Sequence, residues 1–112
     1  MLLISIHQNS LPDIKDVNKK HGAGTYYYND MAHPLAQEIQ KELLLATGFR
    51  DDGVNFASFA LTRPTEMVSV LVECGYLIHP YELKKLICKE FQKEIAKSIR
   101  LGIENYLREI NP

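Results

Sequence analysis

Excess charge of either sign is absent from the 112-residue sequence: thirteen Lys and Arg stand against fourteen Asp and Glu, for a net charge of −1. Such a chain raises no field that gathers a polyanion, so no nucleic-acid partner is expected. Cysteine is scarce. Cys74 and Cys88 form no Cys-x-x-Cys pair, which excludes a zinc knuckle or a dithiol redox motif, and both are expected as small buried hydrophobes rather than as a disulfide. No apolar run approaches the roughly 20 residues of a membrane-spanning helix, so no membrane span is expected. The opening Met-Leu-Leu-Ile-Ser-Ile-His lacks a basic lead and carries too short an apolar run, so no signal peptide is expected in this chain. The glycines at 22 and 24 have neither the spacing nor the Lys of a phosphate loop. Repeats and low-complexity segments are missing too.

What is present is organised around Val68 to Gly75. Val68, Val70, Leu71 and Val72 form a nearly unbroken aliphatic run, the pattern of a strand covered on both faces. Glu73 interrupts it. An unpaired buried carboxylate costs several kcal/mol, so Glu73 reaches water, finds a partner, or stands where a reaction needs it. Gly75 ends the run and places Glu73 near the strand's C-terminal end, where ligands bind in open sheets with parallel strands. Leu2 to Ile6 predicts a second buried strand, closed by the polar His7, Gln8, Asn9 and Ser10. Polar groups thus crowd the ends of two strands.

Residues 10 to 23 predict a long surface loop, and Thr25 to Tyr28 a strand. Asn29 or Asp30 can cap a helix in which Leu35, Ile39 and Leu43 recur at helical spacing, with Gly48 as its left-handed cap. Arg50-Asp51-Asp52-Gly53 predicts a charged turn, Phe56 to Leu61 a strand, and Pro64 a connection near the sheet's edge or end. A short helix is expected over Tyr81 to Ile87. Phe91, Ile95, Ile99, Ile103 and Leu107, four apart, form the apolar stripe of a long terminal helix. The order predicts one α/β domain over 1–112, a mixed sheet covered by helices.

Several segments follow one another in the order of a known family: Ser-Ile-His-Gln-Asn-Ser at 5 to 10, Gly-Thr-Tyr-Tyr-Tyr at 24 to 28, Leu-Thr-Arg-Pro-Thr-Glu-Met at 61 to 67 and Val-Leu-Val-Glu-Cys-Gly-Tyr-Leu at 70 to 77. With Leu35 to Gln40 and Phe91 to Ala96, the chain resembles the zinc-dependent N-acetylmuramoyl-L-alanine amidases of bacterial autolysins, spore-cortex enzymes and phage lysins. The resemblance implies a peptidoglycan hydrolase that cleaves the amide between the lactyl group of N-acetylmuramic acid and L-alanine. It makes His7 a zinc ligand and Glu73 the catalytic carboxylate. Arg63 and Asn9 are near enough in the motif order to line a substrate groove. His21, His33 and His79 match no ligand position of the family and are expected to be surface or structural. The family acts outside the cytoplasm, at the cell wall or in the periplasm.

The family's other two zinc ligands, a His and a Glu, lie upstream of the Ser-Ile-His strand, so the remaining ligands are expected upstream of Met1. The chain then corresponds to the C-terminal part of an amidase catalytic domain, an incomplete amidase-type domain. Asp51-Asp52-Gly53 departs from the usual Asp-Arg-Gly, and Val68 stands where Pro is frequent. Two other classes of function stay open at this point. One is a truncated, non-catalytic remnant that binds muropeptide or a partner chain, including a homo-oligomer formed through an exposed sheet edge. The other is a structural domain in which His7 and Glu73 are far apart.

Overall fold

The structure, a computed structural model, describes residues 2–9, 20–57 and 68–112. Its centre is the strand predicted from the aliphatic run, here Val68–Tyr76, with the first strand, β1 (Leu2–Asn9), parallel to it on one side. On the other side lies β2 (Ala23–Tyr27), antiparallel, followed outward by β3 (Asp51–Phe56), parallel to β2. With Val68–Tyr76 as β4, the order is β1-β4-β2-β3, a mixed sheet as expected.

Three helices complete the described fold: α1 (His33–Thr47), α2 (Pro80–Leu86) and α3 (Lys89–Ile110). The stripe of α1 is buried at Leu35, Ala36, Ile39 and Leu43, and α3 buries Ile95 and Ile99, all packed with Val70, Val72 and Cys74 of β4. Leu2, Ile4 and Val54 pack against the same cluster. Side chains alternate along a strand, so Ser5 and His7 of β1, Leu71 and Glu73 of β4 and Tyr26 of β2 belong to the opposite face. Gly48 caps α1 with φ 65°, in the left-handed region that favours glycine, and its N–H donates to the Leu44 carbonyl.

Four expectations are corrected. The third strand is Asp51–Phe56 and contains the residues expected as a charged turn; 58–61 of the expected strand lie outside the described residues. Low strand propensity is overridden there by bonds to the acidic side chains. Asp51 accepts from the Gly53 N–H and from Gln40 Nε2, each at 2.8 Å, and Asp52 accepts from the Tyr76 hydroxyl at 3.0 Å. The first strand does not close at His7 but runs to Asn9, because its parallel pairing with β4 continues through the polar residues. Asn29 stands at the N-cap position of a short 3₁₀ turn that Asp30 opens, Asp30–Ala32, and α1 starts after it with Pro34 in its first turn and no side-chain cap. Cys88 is exposed, at the N-cap position of α3 and ahead of its packed stripe; it and the buried Cys74 are both free thiols.

The helical layer is held at closest range where α3 crosses α1 at Gly102. A Cβ there would lie 2.6 Å from Ile39 Cα and 2.8 Å from Ile39 N, backbone atoms that cannot swing aside. Alanine is the better helix former by about 1 kcal/mol, yet overpacking costs about 1–3 kcal/mol. Gly102→Ala is therefore expected to destabilise the fold, read as a lower midpoint in urea denaturation. A neutral or stabilised variant would show that the two helices separate freely.

Candidate active site

The β1–β4 register sets His7 directly opposite Glu73 as Cα partners, on one face and near the C-terminal ends of two parallel strands. His7 is exposed, and one ring nitrogen, Nε2, lies 2.5 Å from the Ser5 hydroxyl, which leaves the other ring nitrogen for a ligand. Glu73 is half-buried. Its Oε2 is sealed from solvent and has no hydrogen-bond partner among the described residues. Burial pushes the Glu73 carboxyl above the usual carboxylate range, with the His7 charge pulling the other way. The two groups therefore sense each other electrostatically across the strand pair.

A polar chain extends from this pair. Tyr26 is hydrogen-bonded to Tyr76, whose hydroxyl donates to Asp52 Oδ2 at 3.0 Å, and Lys20 Nζ sits 3.5 Å from Asp52 Oδ1. Burial, then Asp52 and Glu73, raises the Tyr26 pKa; burial and the Asp52 bond raise that of Tyr76. Both phenols stay protonated as donors. The adjacent Cys74 thiol is pushed up to about 12, first by burial and then by Glu73, so it is no nucleophile.

Among the residues expected at the site, His7 and Glu73 are brought together. Asn9 is the last residue of β1, its backbone paired with Tyr76, and Arg63 lies outside the described residues. One imidazole opposite an unpartnered carboxylate fits part of a catalytic zinc centre, in which three protein ligands leave a position open. His7 would be one of those three. His33 is half-buried, with its ring 4.8 Å from that of Tyr27.

Glu82 escaped the sequence-based expectations. It is buried on α2, where its Oε1 accepts the Tyr76 N–H at 2.8 Å and the Gly22 N–H at 3.1 Å. Its Oε2 lies 2.8 Å from His21 Nδ1, and the His21 ring stacks on that of His79 at 4.5 Å between centroids. A signal existed: Glu82 stands three residues after His79, the helix N-cap, the spacing of a capping box. Its partners at Gly22 and His21 are 60 and 61 residues away, so no local pattern announces them.

The chain is similar to known proteins over nearly its whole length. Residues 1–105 match the family model described as N-acetylmuramoyl-L-alanine amidase. The chain is 32% identical over 111 residues to the N-acetylmuramoyl-L-alanine amidase LytC of Bacillus subtilis, covering 96% of this chain and 22% of that protein. It is 33% identical to the B. subtilis protein YqiI, covering 94% of this chain and 50% of that one. Among solved structures, the catalytic domain of the amidase CwlV from Bacillus (Paenibacillus) polymyxa var. colistinus superposes with TM-score 0.85 at 34% identity, over 96% of this chain and 57% of that one. An N-acetylmuramoyl-L-alanine amidase of Clostridium difficile 630 does so with TM-score 0.86 at 32% identity and the same coverage. The chain thus spans half or less of the curated relatives named and a little over half of the solved domains. With nearly its whole length matched and its fold shared, the chain belongs to the N-acetylmuramoyl-L-alanine amidase family.

Proposed function

We propose that the chain serves a zinc-dependent peptidoglycan hydrolase, one that cleaves the amide between N-acetylmuramic acid and the L-alanine of the stem peptide. The observation that carries this reading is the pairing of His7 with Glu73 and its sealed, unpartnered Oε2. His7 would hold zinc as one of its ligands. Zinc, when bound there, supplies Lewis acidity toward the carbonyl of the scissile amide. Glu73 does the proton work: its carboxylate takes a proton from the attacking water and delivers it to the departing amide nitrogen. Desolvation suits it to that role, because a base with a raised pKa is stronger and its conjugate acid still gives the proton up. Arg63 and Asn9 are assigned to the substrate groove.

Peptidoglycan is the proposed substrate, and the cell wall or periplasm the proposed place of action; one relative, from Bacillus anthracis, is named as a cell wall amidase. Among the described residues no helix is long and apolar enough to cross a membrane. A second reading, a chain that binds muropeptide or another copy of itself without hydrolysis, draws on β1. Among the described residues that strand is one edge of the sheet, with Ile6 56% exposed, and an edge strand can accept another strand. Sedimentation showing a metal-free dimer, with no stem peptide released, would favour it.

Two predictions follow from Glu73. Release of stem peptide from purified cell wall is expected to fall about 10²–10⁴-fold in Glu73→Gln while wall binding persists. The parent rate should decline in acid through a pKa above the ordinary Glu value of about 4.3, a limb the variant loses. Equal release by both proteins would remove Glu73 from the mechanism. The same raised pKa acts on stability in the metal-free chain. Folding favours the protonated carboxyl, so this contribution is present below the unfolded pKa and is lost as pH rises through the folded one. Glu73→Gln should raise the Tm at pH 7, with the gain vanishing below the ordinary carboxylate range. A lower Tm at pH 7 would mean that the carboxylate is paired.

A further inference from the structure

We propose that His21, His79 and Glu82 form a second divalent-metal site, of the zinc class, separate from the one His7 serves. Each residue offers one ligand atom, and these atoms all lie within 4.8 Å of one another. Two imidazoles and one carboxylate are a zinc donor set, whereas calcium and magnesium take oxygen ligands. The three residues come from two parts of the fold: His21 precedes β2, while His79 is the N-cap of α2 and Glu82 lies in its first turn.

Two features prepare the site. Glu82 is fixed: its side chain is 2% exposed and its Oε1 is held by two backbone N–H groups, which leaves Oε2 turned toward His21. Such support of a ligating carboxylate is what orients a metal site. The histidines are the accessible and adjustable part. Both are half-buried, and His79 Nδ1 accepts the Glu82 N–H at 3.4 Å, beyond the usual hydrogen-bond range. A tetrahedral zinc ion with bonds of about 2.0–2.1 Å spaces its ligands about 3.3 Å apart. Closing the cluster to that spacing falls on the imidazole rings, and the long capping bond is the contact that gives way.

An ion there ties the entry of β2 to the first turn of α2 and favours the folded state by mass action, whether or not the chain hydrolyses anything. Its test therefore needs no activity assay. The 112-residue chain carrying His7→Ala, stripped of metal, would be titrated with cobalt(II) and then with zinc. One equivalent of cobalt is expected to bind with the intense visible absorption of four-coordination, to be displaced by zinc, and zinc is expected to raise the Tm. His79→Asn in the same background keeps a favourable helix N-cap. It should leave the metal-free Tm near that of its parent, weaken zinc at least tenfold and abolish the zinc-dependent Tm rise; His21→Gln should weaken zinc likewise. The proposal is overturned if the His7→Ala chain takes up no cobalt, or if His79→Asn and His21→Gln bind zinc as tightly as their parent. In either case His21 and Glu82 would be a hydrogen-bonded pair and nothing more.

Discussion

Parallel pairing of β1 with β4 is the constraint on which the site depends. Side chains alternate with period two, so His7 faces Glu73 only in the register in which Ile6 meets Val72 and Ile4 meets Val70. A slip of one residue would turn His7 toward α3 and expose the aliphatic set, exchanging a buried apolar face for a polar one. The hydrophobic demand of Leu2, Ile4, Val70 and Val72 therefore places the imidazole and the carboxyl together, although neither contributes to that demand. The meeting of these polar groups at the strand ends is a by-product of packing on the opposite face.

Three polar side chains, Gln40 and Glu82 buried and Glu73 half-buried, show how differently the fold treats such groups. Gln40 is satisfied at every turn: it accepts from the Thr25 hydroxyl at 2.9 Å and donates to the Ala23 carbonyl and to Asp51, each at 2.8 Å, so α1 is tied to β2 and β3. Glu82 is satisfied as well, by two backbone amides and His21. Glu73 keeps one sealed oxygen without a partner among the described residues. Bonded buried groups specify structure, whereas an unbonded one lowers stability. That contrast separates the two carboxylates better than their burial does.

Much of this was legible in the residues. The aliphatic run of β4, the stripes of α1 and α3 and the glycine after Thr47 are local patterns, and each became the expected element. The order of motifs pointed to the family, and with it to His7 and Glu73 as a pair. Other features were not legible because their causes are distant in the chain. Asp51 and Asp52 enter a strand because Gln40 and Tyr76 bond them. His21 and His79 looked unrelated, and only the folding of α2 against the entry to β2 stacks them beside Glu82.

The sequence by itself determined which segments are apolar, at what period, and where each is punctuated, because burial and backbone conformation are dictated by side-chain type over a few residues. From this come the α/β class and the position of Glu73 at a strand end, while the family rests on the resemblance carried by the order of motifs. Only the tertiary structure decided which polar groups meet: that His7 lies across from Glu73, that Oε2 is sealed, and that two histidines share one buried carboxylate. Those meetings depend on strand order and register, which follow from the free energy of the whole core rather than from any short stretch of chain.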